Sequence, residues 1–252
     1  MSRRVAFVTG GGGGIGGEVA RRLAVQGRAV AVADLDLDAA RAVADAITSS
    51  GGEAVAVALD VTDSASVEAA VATTAEVLGP VDICVNVAGW DRLIPFLDTD
   101  EAFWERVLDV NYTGVLRTTR AVLPGMVERG WGRIVNTASD AGRVGSSLES
   151  VYSGAKGGVI AFTKTIAREV AKRGVTANTV CPGPTDTPLL AAVGETLPDG
   201  GQKLVGALNR AIPMGRLATP ADVAPAIVFF ASEEAGFVTG QTLSASGGLT
   251  MA

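Results

Sequence analysis

The sequence predicts an α/β fold: a doubly wound parallel sheet of about seven strands with helices on both faces. Three observations carry this. Short apolar runs alternate with longer stretches whose apolar residues recur at helical spacing. The runs are apolar throughout, as parallel strands sandwiched between helices read. A glycine run separates the first strand from the first helix. The 252 residues, 48% of them hydrophobic, can fill one core. With no linker rich in proline, serine or charge, residues 1–252 are expected to form a single domain.

Val5 to Thr9 is the first expected strand. The helix after it, Ile15 to Gln26, has Ile15, Val19, Ala20, Leu23 and Ala24 at helical spacing and is closed by Gly27. Ala29 to Ala33 is the second strand, ending at Asp34, and Leu37 to Ile47 the second helix, broken by Gly51 and Gly52. Ala54 to Val61 is the third strand, Ser64 to Leu78 a helix stopped by Gly79 and Pro80, and Val81 to Val87 the fourth strand. Glu101 to about Glu128 is expected to be helical with an interruption near Pro124 and Gly125. Arg133 to Ala138 is the fifth strand, Val151 to Lys172 a long helix, and Val175 to Cys181 the sixth strand. Residues from about Thr187 to Ala211 are weakly patterned and read as an excursion carrying short helices. Thr219 caps a helix whose first turn holds Pro220 and which Pro225 should bend, and Thr242 to Ala245 is the last strand.

Composition excludes several chemistries. There is no histidine, which removes imidazole acid–base catalysis and His-ligated metal sites. Two cysteines, Cys84 and Cys181, are too few for a thiolate metal cage, so no metal is expected. A net charge of −6 without a basic tract argues against nucleic acid or an anionic membrane as partner. The opening MSRRVAFVTG lacks the apolar stretch of a signal peptide, and no run is long enough for a membrane helix, so a cytoplasmic protein is expected.

The glycine run, Gly10 to Gly14 with Ile15 and Gly16, lies between a strand and a helix. Glycine there lets the backbone turn tightly and approach a pyrophosphate resting on the helix N-terminus. In that position the loop marks a Rossmann-type dinucleotide site. Asp34, ending the second strand, suits the ribose hydroxyls of NAD and repels the 2′-phosphate of NADP. No Arg or Lys in the loop or directly after Asp34 would welcome that phosphate, so NAD is expected in preference to NADP. Asp60 and Val61 could reach the adenine edge. Asn86, Val87, Ala88 and Gly89 would let the cofactor pass close to the backbone.

Tyr152 and Lys156 lie one helical turn apart on one face, and Ser139 follows the fifth strand at the sheet edge where α/β folds bind ligands. Reducing a ketone needs a proton donor beside the carbonyl oxygen, and oxidising an alcohol needs the reverse. With histidine absent, a phenol is the candidate. Its ordinary pKa near 10 is too high for base work at neutral pH, but an adjacent ammonium and the nicotinamide cation would lower it. Taken singly, Tyr152 could be a core-edge residue, Lys156 a solvated charge and Ser139 a turn former.

Together these segments resemble the short-chain dehydrogenase/reductase family along essentially the whole chain. The matching pieces are Thr9-Gly-x3-Gly14-x-Gly16, Asn86-x-Ala-Gly89, Asn111, Ser139, Tyr152-x3-Lys156 and Pro182-Gly183-x3-Thr187. The resemblance implies that Tyr152 is the acid/base, that Ser139 polarises the substrate oxygen, and that Lys156 binds the nicotinamide ribose and acidifies the tyrosine. It implies that Asn111 holds a water of a proton relay and that Pro182, Gly183, Thr185 and Thr187 contact the cofactor, Thr187 at the carboxamide. It also implies a homotetramer. Val87 departs from the family's usual second Asn, which puts a sheet-stabilising hydrogen bond in doubt. Asp140 adds a carboxylate beside Ser139.

Within the family, Gly89-Trp90-Asp91, Ala138 to Ala141, Arg143 to Ser147, Cys181 to Thr187 and Ser246 to Met251 are similar to 2-hydroxycyclohexanecarboxyl-CoA dehydrogenases, and more generally to 3-oxoacyl-thioester reductases. Residues 189–210 would form a lid over the substrate. Trp90, Val144, Leu148, Leu189 and Leu190 could line its pocket beside Ser139, Asp140 and Tyr152, although ordinary packing would explain each alone. The leading expectation is an NAD-dependent oxidoreductase interconverting a secondary alcohol and a ketone, with a β-hydroxyacyl CoA thioester as one candidate substrate. The alternatives are an NADPH-dependent 3-oxoacyl thioester reductase and a catalytically inactive nucleotide-sensing protein.

Overall fold

The computed structural model describes residues 3–195 and 201–251. Its elements follow the expected alternation: β1 (Val5–Thr9), α1 (Gly14–Val25), β2 (Ala29–Asp34), α2 (Leu37–Ser49), β3 (Glu53–Ala58), α3 (Ser64–Val77), β4 (Ile83–Asn86), α4 (Glu101–Leu108) and α5 (Gly114–Arg129). Then come β5 (Gly132–Thr137), a single turn α6 (Ala141–Val144), α7 (Ser150–Val170), β6 (Val175–Pro182), α8 (Pro188–Glu195), α9 (Gln202–Ala211), α10 (Pro220–Phe230) and β7 (Thr242–Ala245). The strands form one parallel sheet in the order β3-β2-β1-β4-β5-β6-β7. The order reverses between β1 and β4, so a crevice opens there beyond the carboxyl ends of the strands.

Both sheet faces are buried because successive strand residues pack into opposite layers. Ala6, Val8, Val30, Val32 and Val85 pack with Val19 and Leu23 of α1 and Ile227 of α10. Phe7, Ala31, Cys84 and Ile134 pack with Val67 of α3, Met126 of α5 and Val170 of α7. The edge strands β3 and β7 are the most exposed. The Thr219 and Asp222 side chains cap α10 reciprocally, with Pro220 in its first turn, and the helix runs on through Pro225.

Three boundaries differ from the sequence reading. β3 stops at Ala58, so Asp60 and Val61 lie beyond the strand. There Asp60 accepts hydrogen bonds from the Thr62 amide (2.8 Å) and hydroxyl (2.7 Å), a local turn that wins over continued pairing. The long helix is not interrupted at Pro124, which sits inside α5. The break comes instead at Asp109–Thr113, one turn of π-helix joining α4 to α5. The excursion after β6 forms α8 and α9, and part of the expected lid, residues 196–200, lies outside the described residues. Among the described residues no helix is long and apolar enough to cross a membrane.

Candidate active site

The β1–α1 loop shows why glycine is required at two positions. Gly10 has φ +64°, and a Cβ there would sit 2.8 Å from the Ala88 amide nitrogen. A Cβ on Gly16 would overlap the Gly10 carbonyl. Gly13 begins α1 without a side-chain cap and no acidic residue follows in the first turn, so the leading amides are left for an anion. Across the crevice, Thr9 Oγ1 accepts hydrogen bonds from the amides of Val87 (3.1 Å) and Ala88 (3.2 Å), fixing the loop after β4 despite Val87.

A cavity of about 1110 Å³ runs along this loop. Gly10, Gly13, Gly14, Ile15, Gly16, Asp34, Asp60, Val61, Ala88 and Gly89, which the sequence reading assigns to a dinucleotide, line it together with Thr187 and Leu189. Asp34 accepts from the amides of Gly12 (2.9 Å) and Asp36 (3.0 Å), so one carboxylate both braces the loop and faces the cavity. Thr62 and nearby Arg117 hold the Asp60 carboxyl below its usual range, the hydrogen bonds from Thr62 most of all.

Asn86 does not line this cavity. Its side chain is buried in a polar chain, donating to Asn136 (2.8 Å) and accepting from Thr118 (2.7 Å), while Asn136 donates to Thr163 (2.8 Å). Its side chain ties β4 to β5 and α5, leaving its backbone at the strand end. Trp90 stands apart from Ser139. It lines the first cavity rather than the one holding Ser139, and its ring packs against Phe103 and under the Arg106 guanidinium, 4.0 Å away.

A second cavity, of about 510 Å³, opens off the first. It is lined by Ser139, Asp140, Val144, Tyr152, Lys156, Pro182, Gly183 and Thr185, and both cavities share Ile15, Val87, Gly89, Thr187 and Leu189. β5, β6 and α7 thus bring together residues separated widely in sequence. Lys156 is 3% exposed, lies 5.5 Å from the Tyr152 ring centre and donates to the Thr137 carbonyl (3.0 Å). Leu190, Leu204, Leu208 and Leu249 roof the cavity, bringing α8, α9 and the C-terminal segment over it. Asn111, fully buried at the π-turn, donates to the carbonyls of Trp90 (2.6 Å) and Val107 (2.9 Å) and accepts from the Trp90 amide (3.3 Å), holding the post-β4 loop against α4.

The protein's own groups set the charge balance of this cavity. Burial pushes the Tyr152 phenol above its ordinary value, the Glu149 and Asp91 carboxylates push it further, and a hydrogen bond with Ser139 pulls it back. Burial also lowers Lys156 from 10.5 to about 8. Burial and the two carboxylates thus set the direction of the Tyr152 shift among the protein's own groups. Asp91 and Glu149 were missed as site residues, although both line this cavity. Asp91 directly follows the Gly89-Trp90 turn, which was the available signal. Glu149 lies far off in sequence and carried none.

Fold and site together define a dinucleotide-dependent oxidoreductase. The family described as enoyl-(acyl carrier protein) reductase matches residues 11–250. The 2-dehydro-3-deoxy-L-rhamnonate dehydrogenase (NAD(+)) of Sphingomonas sp. (strain SKA58) is 42% identical, covering 98% of this chain and 95% of its own. The 3-oxoacyl-[acyl-carrier-protein] reductase FabG of Vibrio harveyi is 39% identical, covering 100% and 99%. A crystal structure of an actinorhodin polyketide ketoreductase variant with NADPH superposes with a TM-score of 0.93 at 38% identity, covering 98% and 97%. The chain belongs to the short-chain dehydrogenase/reductase family and is an oxidoreductase acting on hydroxyl and keto groups with a nicotinamide cofactor.

Proposed function

We propose that the protein is an NAD-dependent dehydrogenase that interconverts a secondary alcohol and a ketone, with Tyr152 as acid/base. The observation that carries this is the sharing of one cavity by Ser139, Tyr152 and Lys156, opening directly onto the glycine loop. Gly10, Gly13 to Gly16, Asp34, Asp60, Val61, Ala88, Gly89, Pro182, Gly183, Thr185 and Thr187 would hold the cofactor, and the nicotinamide supplies or accepts hydride when bound. Ser139 holds the substrate oxygen. Tyr152 donates its proton to a ketone oxygen as reduction proceeds, or takes the hydroxyl proton in the reverse direction. Because burial keeps the phenol protonated, the protein alone is poised as the acid, ready for ketone reduction.

Asp34 supports NAD, since its carboxylate faces the cavity where a 2′-phosphate would sit. The apolar roof and the FabG likeness support a β-hydroxyacyl or β-oxoacyl thioester, cyclic CoA esters included. The likeness to a ketoreductase crystallised with NADPH favours the second reading, an NADPH-dependent 3-oxoacyl reductase. Helices α8 and α9 act as the lid, and the protein works as a cytoplasmic homotetramer. The deciding experiment measures kcat/KM for NAD and NADP side by side on β-hydroxy thioesters and cyclic alcohols. A preference for NAD with alcohol oxidation upholds the first reading, a preference for NADPH with 3-oxoacyl reduction upholds the second, and no turnover with either coenzyme rejects both.

A further inference from the structure

Oxidising an alcohol breaks its C–H bond with loss of hydride to the oxidised nicotinamide and leaves the O–H proton behind. That proton must leave a cavity roofed by Leu190, Leu204, Leu208 and Leu249. Two carboxyl groups stand where such a path is needed. Asp91, on the loop after β4, is only 8% exposed, and its Oδ2 has no donor among the described residues. It lies within hydrogen-bonding reach of the Glu149 carboxyl at the start of α7, and two carboxylates so close repel, which favours a proton on Asp91. Glu149 is half-buried at the rim, whereas Asp91 is enclosed. Both line the cavity of Ser139, Tyr152 and Lys156.

We propose that Asp91 and Glu149 form a proton-sharing pair that carries the reaction's proton between Tyr152–Lys156 and solvent. The inference rests on the alcohol–ketone reading above. In oxidation Lys156 hands a proton to the pair and takes the Tyr152 proton, the phenolate then takes the alcohol proton as hydride leaves, and Glu149 releases one proton to bulk water. Reduction runs the path inward and consumes one proton. The Asn111 side-chain amide donates both its protons to the carbonyls of Trp90 and Val107, so it is a fixed neighbour of this path.

The charges facing the path agree with this role. Burial raises Asp91 far above the ordinary carboxylate range and Glu149 adds to the rise, while the Arg92 amide and Lys156 oppose it. Asp91 in turn holds the Lys156 proton on and, with Glu149, the Tyr152 proton. From β6 the buried Cys181 acts on both Tyr152 and Lys156, and Asp140 and Arg143 act on Cys181 from the far wall.

The test compares wild type with Asp91→Asn and Glu149→Gln. Difference infrared spectroscopy of the wild-type protein without substrate should reveal a protonated carboxyl that titrates well above the ordinary range, vanishes in Asp91→Asn and titrates at lower pH in Glu149→Gln. Asp91→Asn should bind NADH as wild type does, yet lose roughly tenfold to a hundredfold in kcat for alcohol oxidation. It should also lose the low-pH limb of the profile, with formate restoring part of the rate. If the infrared signal is missing, or Asp91→Asn and Glu149→Gln both keep the wild-type rate and pH profile, the relay is wrong while the alcohol–ketone reading stands. Should Asp91→Asn fail to fold, the wild-type titration and Glu149→Gln decide on their own. Failure of wild type to turn over any alcohol or ketone would instead strike the underlying reading.

Discussion

The two cavities are built by opposite means. The first is built around backbone, with glycines, amides at the start of α1 and the loop after β4, and its charges lie on Asp34 and Asp60 on one side and on Glu105, Arg106 and Asp109 at α4 on the other. The second is made of side chains sent from β5, β6, α7, α8, α9 and the C-terminal segment, and it gathers Asp91, Asp140, Glu149, Tyr152 and Lys156 into a space half the size. A backbone cradle tolerates little change because no rotamer can relieve a blocked amide. A side-chain pocket can be rewritten residue by residue, and its chemistry depends on neighbours distant in sequence.

Breaking the second cavity at its centre should give the largest effect. Tyr152→Phe should lower kcat by about 10²-fold to 10⁴-fold or more while NADH affinity, followed by fluorescence, stays close to wild type. A variant that keeps turnover would remove Tyr152 from proton transfer. Breaking the cradle should act the other way round. Gly16→Ala must displace the Gly10 carbonyl, so NADH binding weakens and the protein loses about 1–3 kcal/mol, read as a fall in Tm. An unchanged Tm and coenzyme Kd would show that the loop yields freely.

Asp34→Ala sharpens the comparison within the cradle. Losing one carboxylate should shift the NAD to NADP ratio of kcat/KM by roughly tenfold or more toward NADP, and a constant ratio would take Asp34 out of coenzyme choice. The smallest effects come from pH. Tyr152 must lose its proton to act as a base and its phenol is held above the ordinary value, so alcohol oxidation should quicken as pH rises through neutrality while ketone reduction does not. Stability should respond at Lys156. Its folded pKa of about 8 lies below the unfolded 10.5, so between these values the unfolded chain binds more protons and stability climbs with pH. Urea unfolding of wild type and Lys156→Met should show that slope in wild type alone.

Much of this was legible in the sequence because it is local. Glycine at positions 10 and 16, the apolar runs of β1 to β6, the Thr219-Pro220 cap and the one-turn spacing of Tyr152 and Lys156 all act through neighbours along the chain. The misplaced helix break has a physical cause. Pro124 looked like a break, but a proline inside α5 costs one backbone bond that packing of Val122 and Met126 can offset, whereas the real break at Asn111 serves contacts with Trp90 that only folding creates. The partners of the Asn86 side chain, Asn136 and Thr118, are distant in sequence and only the fold brings them to it.

By itself the sequence determined the sheet, the glycine cradle and the identity of the phenol, amine and hydroxyl, because residue type and short spacing suffice for backbone conformation and for naming functional groups. Only the tertiary structure decided the state of those groups. Tyr152 keeps its proton because burial removes water and because Asp91 and Glu149, one after β4 and one before α7, are folded against it. Desolvation and charge act through space, and distance in space is set by packing, not by position along the chain.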